Sequence, residues 1–222
     1  MRPVIRVVWI WLVLIRFLSA QEAPGTALTI CRLKYGGGGD WYNDRSMIPN
    51  LLQEFKRVTG SETTEDQMVL PPSDPGLFNY PILFMTGHGN VYFSDDDIRN
   101  LRKHLENGGF LYADDDYGMD KSFRREIKRI FPDKEFVQLP VNHPIYQCFY
   151  RFPNGLPKIH LHDSKPPEGW GIFHQGRLVL FYTVESNISD GWADPNVHND
   201  PPEVRQTALK MGVNILYYAL TF

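Results

Sequence analysis

The sequence predicts an α/β fold: a three-layer sandwich with helices on both faces of a mostly parallel central sheet, and a late β-hairpin at an edge. Three observations carry this. Strand-like apolar runs and amphipathic helical segments alternate from residue 27 to about residue 140, the order that builds parallel sheets. The run YPILFMTG (80–87) is apolar on both of its faces, as a strand covered from both sides must be. Near the end, GWGIFHQGRLVLFYTVE reads as two strands turned at HQGR.

The elements follow in order. ALTICRLKY (27–35) is the first strand and runs into GGGGDW. Asn43 or Asp44 is placed to cap the next helix, DRSMIPNLLQEFKRVTG, whose Ile48, Leu51, Leu52 and Phe55 keep helical spacing. The proline-rich LPPSDPG then leads to the strand YPILFMTG. Ser94 opens the helix SDDDIRNLRKHLENGG, with Asp97 three residues on as in a capping box and Gly108 as its stop. GFLYA is a short strand, MDKSFRREIKRIF an amphipathic helix ending at Pro132, EFVQLP a strand, and HPIYQCFY a turn of helix or loop. After the hairpin, PPEVRQTALKMGVNILYYALTF is mostly helix, apolar at Val204, Ala208, Met211, Ile215 and Leu216.

The N-terminus reads as an export signal. Arg2 and Arg6 precede the apolar run VVWIWLVLI (7–15), and FLSA ends at the small Ala20. That run is too short to span a bilayer, which needs about 20 residues. Arg16 and Leu18 make an imperfect cleavage site, so cleavage and retention as an anchor both stay open. Residues 1–20 are assigned as signal peptide and 21–222 as a single α/β domain. The expected location is the periplasm or cell envelope, with membrane contact only through the N-terminal segment if it is uncleaved. A net charge of −3 lacks the concentrated basic face of a nucleic-acid binder. Cys31 and Cys148 form no CxxC pair; two buried thiols are the plainer reading and a disulfide the alternative.

In open α/β sheets, ligands bind outside the carboxyl ends of the strands. Three loops leave the sheet there: GGGGDWYND, GHGN and DDDYG. They align Asp40, Trp41, Tyr42, His88, Asp114, Asp115, Asp116 and Tyr117 along one rim, and Trp192 follows the last strand. One of the three aspartates is expected to cap the helix near Met119, because carboxylates favour a helix N-terminus. Asp95 to Asp97, by contrast, only start a helix. His143, in NHPIY, is placed to fold back toward the rim. With His88 and Asp114 or Asp115 it would give two imidazoles and a carboxylate for a divalent metal. The motif HLH (160–162) is read as a surface strand with both rings on one face rather than as a metal site. The four glycines lack the Lys and Ser/Thr of a P-loop and do not fit GxGxxG.

ICRLKYGGGGDWYND, GHGNVYFSDDDIRNLRKHLENGGFLYADDDYG, the FP at 131–132, NHPIY and GWGIFHQGRLVLFYT together resemble the family catalogued as domain of unknown function 4159. The resemblance covers essentially the whole mature chain. It implies a flavodoxin-like sandwich similar in fold to the class I glutamine amidotransferases. It also implies a bacterial origin, as a short exported protein or the terminal part of a larger membrane protein, and no known reaction. Those enzymes carry a nucleophilic Cys on a strand-to-helix elbow; GGFLYADDDYG carries Asp there, and no GxSxG exists. Amide hydrolysis by that route is excluded.

Two readings remain. The first is a binding or interaction module of the cell envelope, using Asp40, Trp41, Tyr42, His88, Asp114–Asp116, Tyr117, His143 and Trp192. Its partner is a small molecule, glycan or peptide, or an envelope complex. The second is a metal-assisted hydrolase whose catalytic candidates are Asp114, Asp115, His88 and His143, and whose metal ligands are His88, Asp115 and His143.

Overall fold

The computed structural model describes residues 27–222. The export-signal expectation therefore lies outside the described residues. Seven strands form one sheet in the order β2-β1-β3-β4-β7-β6-β5. They are β1 (Ile30–Leu33), β2 (Met68–Leu70), β3 (Ile82–His88), β4 (Phe110–Tyr117), β5 (Val137–Gln138), β6 (Glu168–His174) and β7 (Arg177–Val184). Strands β2, β1, β3, β4 and β7 pair in parallel; β6 runs against both of its neighbours. Gln175 and Gly176 both take positive φ at the hairpin turn, the geometry that matches strand twist. The hairpin extends the flank beyond β4, and β5 lies outermost.

Side-chain alternation divides the core into two layers. Ile30, Ile82, Phe84, Phe110, Tyr112 and Phe181 face α1 (Met47–Thr59) and α5 (Pro202–Thr221). Cys31, Leu33, Leu83, Met85, Leu111, Ala113 and Tyr182 face α2 (Asp95–Glu106) and α3 (Asp120–Ile130). This is the three-layer sandwich the alternation predicts. Cys31 is buried among the second set, Cys148 packs against the first, and both are free thiols. Among the described residues no helix is long and apolar enough to cross a membrane.

Several local expectations change. Neither Asn43 nor Asp44 side chain caps α1; its N-cap is Ser46, without a side-chain bond. Asn43 is drawn off to Arg32 and Asp116 instead. The short strand β2 and the 3₁₀ turn Pro75–Asn79 occupy the stretch read as a connection. His160 and His162 lie outside any strand, so HLH is not a surface strand. A fourth helix, α4 (Pro195–His198), is one turn long. Most consequential, β4 does not end at Ala113 but runs on through Asp114, Asp115 and Asp116. Asp114 is paired with Thr86 on one side and Thr183 on the other, so both neighbours hold the acidic stretch in the ladder.

Candidate functional site

Because strand side chains alternate, Asp115 turns away from Asp114 and Asp116, and Asp116 lies one step further out toward the strand end. Asp114 points toward the α1/α5 side and is fully buried. Thr183 Oγ1 donates to its Oδ1 at 2.5 Å; the main-chain N–H and the hydroxyl of Ser189 both donate to its Oδ2 at 2.7 Å. Burial still dominates these three bonds and pushes the Asp114 carboxyl up to about 7. Tyr112 Oη, 2.9 Å from Thr183 Oγ1, closes the far end of this network.

Asp115 turns to the opposite face. Its two oxygens accept the main-chain N–H groups of Met119 and Asp120 at 2.9 and 3.2 Å, so it caps α3 from upstream. Burial raises its pKa as well. The glycine opposite it in the register, Gly87, has φ 140°. A Cβ there would stand 2.4 Å from Tyr35 Oη and 2.9 Å from Asp40 Oδ1, so only glycine lets the first loop approach β3 this closely.

Asp116 reaches the rim, where the loops converge. Asn43 Nδ2 donates to its Oδ2 at 2.7 Å, and Arg32 in turn donates to Asn43 Oδ1 at 3.0 Å. His88 Nδ1 stands 3.0 Å from Asp40 Oδ2 and 3.3 Å from Asp116 Oδ2, which sets one imidazole between two carboxylates. The Asn187 amide nitrogen lies 2.8 Å from Asp116 Oδ1 and 3.0 Å from Asp190 Oδ2. Burial, and then the charge of Asp190, push the Asp116 carboxyl up. Asp190 goes the other way: burial opposes ionisation, but hydrogen bonds from His160 and Asn187 outweigh it.

Beyond Asp190 lies a histidine cluster. His160 Nδ1 is 2.9 Å from Asp190 Oδ2, and its Nε2 is 2.9 Å from Asp200 Oδ1. His198 Nε2 is 2.6 Å from Asp44 Oδ2 and 3.9 Å from Asp190 Oδ1. Asp190, His160 and His198 each offer one atom within 4.8 Å of the others. This is the set among the described residues with the donors and span to hold a metal ion.

On the outer side of Asp116, a groove of about 320 Å³ opens between the β4 and β7 ends and the 162–165 loop. Tyr117 and His162 pack against each other on one wall, their rings tilted by 32° with centroids 4.8 Å apart. Asp115, Asp116, Asp120, Asp163 and Glu185 supply carboxylates, and Lys165 is the lining cation.

The structure thus brings together Asp40, His88, Asp116 and Tyr117, with Asp114 beneath them and Asp115 behind. Others it scatters. His143 caps the 3₁₀ turn at Ile145 and packs on Phe173 and Tyr218; Tyr218 in turn lies beside Phe110, the first residue of β4. His143 is therefore at the opposite end of the sheet from the aspartates, and the metal set His88, Asp115 and His143 does not assemble. Asp115 has also committed both oxygens to α3. Trp192 is core: 1% exposed and packed at a tilt against Phe84 and Tyr112. Trp41 and Tyr42 line a separate surface hollow with Arg32, Arg45 and Asp66.

Sequence reasoning missed Asn43, Asn187, Asp190 and His198 as site residues. Asp190 stood inside SNISDGW, where the tryptophan drew attention, and its burial is visible only once β7 is known to lie beside β4.

A family model described as domain of unknown function (DUF4159) matches residues 29–220. None of the curated proteins compared with the chain matches it.

Proposed function

Given that the chain belongs to the DUF4159 family, we propose that it is a ligand-binding module of the cell envelope, with its ligand in the rim groove beside Asp116. The observation that supports this reading is the groove itself. It sits at the carboxyl ends of parallel strands and pairs an exposed aromatic wall with a floor of carboxylates. Five lining carboxylates against one lysine favour a neutral or amine-bearing ligand over an anionic one. A ring face covers the apolar side of a sugar or peptide, and carboxylates accept its hydroxyl, amide or ammonium hydrogens. Work outside the cytoplasm is supported by the basic, apolar and small-residue order of residues 1–20.

The test is calorimetric titration of the purified domain with amino-sugar oligomers and lysine-bearing peptides. Tyr117→Ala removes a half-exposed ring that supports no core residue, so the variant folds as the parent does. Binding in the parent that weakens about tenfold in the variant, the worth of a stacking contact, supports the reading. Binding indifferent to Tyr117, or confined to anionic ligands, sinks it.

A further inference from the structure

We infer that His160, Asp190 and His198 form a site for a divalent transition metal of the zinc class. Each residue offers one ligand atom within 4.8 Å of the others, and we assign these atoms as His160 Nδ1, Asp190 Oδ1 and His198 Nε2. This inference stands apart from the groove and holds whatever ligand the groove takes.

Four features carry it. The first is Asp190 Oδ1. Asp190 is 3% exposed, yet this oxygen accepts no hydrogen bond, although a buried carboxylate oxygen is ordinarily satisfied. His198 Nε2 stands 3.9 Å from it, too far for a hydrogen bond. The second is span. Three ligand atoms within 4.8 Å of one another need only a small contraction to reach the roughly 3.4 Å separation set by metal bonds of about 2.0–2.2 Å.

The third is the outer shell. A ligating imidazole commonly donates its other N–H to a carboxylate, which fixes ring and tautomer. His160 has that partner: Asp200 Oδ1 lies 2.9 Å from Nε2, leaving Nδ1 toward Asp190. Asn187 donates to Asp190 Oδ2 at 3.0 Å, which fixes the carboxylate through that oxygen and leaves Oδ1 without a donor. The fourth is donor chemistry. Two imidazoles and one carboxylate suit zinc and its first-row neighbours, whereas calcium and magnesium take all-oxygen sets.

A competing account is an ion-pair clip, in which a protonated His160 joins Asp190 to Asp200. It explains both nitrogens of His160, and the bond to Asp44 places His198, but the vacant Asp190 Oδ1 is left without a partner. On metal binding, His198 Nε2 exchanges its bond to Asp44 for the metal, and any proton on the ligating nitrogens is released to solvent. The metal then ties the loop bearing His160 to the 3₁₀ turn at Asp190–Trp192 and to α4. That loop also carries His162, so the clip steadies the aromatic wall of the groove.

Zinc chloride alone is the probe, titrated calorimetrically into chelator-treated protein, with thermal unfolding followed in parallel. The expected result is one equivalent bound and a raised unfolding temperature. Cobalt substitution should give the visible absorption of a low-coordinate N/O site. His198→Ala changes a residue on the one-turn α4, outside both core layers, and should weaken binding at least a hundredfold. Asp200→Asn should weaken it 10- to 100-fold through the outer shell. His143→Ala, at the far end of the sheet, should leave it unchanged. Absence of binding, or binding that His198→Ala leaves intact, overturns the site. Should Asp190→Asn fail to fold, the His198 and Asp200 variants still decide the matter.

Discussion

Two stretches of this chain read Asp-Asp-Asp, and the fold treats them in opposite ways. Asp95 to Asp97 open α2 at the surface, where Ser94 and Asp97 complete a capping box and Asp96 faces solvent beside Arg99. Asp114 to Asp116 end a central strand, where all three are buried. Charge on the first triplet is solvated and favoured by the helix dipole. Charge on the second is taken out of water, and each carboxylate needs its own set of donors. The difference teaches that an acidic run acquires chemistry from its neighbours: Thr86 and Thr183 in the ladder, Ser189, Asn187 and Asn43 from loops.

The largest effect that tests this contrast is at Asp114. Its carboxyl titrates near 7 when folded and near 3.8 when unfolded, so the folded state keeps a proton that the unfolded state has lost between those values. Stability contributed by this group is greatest at low pH, falls as pH rises from about 4 to about 7, and is level above that. Asp114→Asn removes the titration while keeping an acceptor for Ser189. Denaturant unfolding across pH 4 to 8 should show the parent losing up to about 1.4 kcal/mol per pH unit more than the variant in that window. Parallel profiles would mean that Asp114 is ionised without penalty and that burial is not what distinguishes the triplets.

How far the sequence foretold this contrast depends on the kind of signal. Period and punctuation are local, so the alternating order, the capping box at Ser94 and the hairpin at HQGR all could be read. The end of β4 could not: aspartate has poor strand propensity, and what overrides it is pairing with Thr86 and Thr183, residues far away in the chain. The convergence of Asp40, His88 and Asp116 was legible as far as strand-end loops share a rim. His143 was misplaced because a proline-fixed turn says nothing about which end of the sheet it joins. Asp190 and His198 carry no spacing motif, and they meet His160 only because the connection after β7 folds back over the loop that precedes β6.

A middle-sized effect belongs to Asp115. Its carboxylate satisfies two N–H groups at the start of α3, one of them buried. Asp115→Ala leaves both without their acceptor and should lower stability by about 1–3 kcal/mol, with an unchanged denaturant slope. Asp115→Asn retains one acceptor oxygen and should recover part of that loss. Equal losses in the two variants would show that the charge and the second accepting oxygen, rather than a single acceptor or the shape of the side chain, are what the helix start requires.

The smallest effects are on the exposed triplet, and they divide by mechanism. Ser94→Ala removes the hydroxyl that accepts from Asp97 N–H and donates to its carboxylate, for a loss of about 1 kcal/mol. Asp96→Ala removes only a solvent-screened partner of Arg99 and should change stability by less than about 0.5 kcal/mol. Thermal or denaturant unfolding of the two variants beside Asp115→Ala sets the three on one scale. The order expected is Asp115 above Ser94 above Asp96, because two unsatisfied donors at a buried helix start outweigh one at an exposed start, and an exposed ion pair outweighs neither. If Asp96→Ala proved as damaging as Asp115→Ala, electrostatics at helix starts, and not burial at the strand end, would be what sets these aspartates apart.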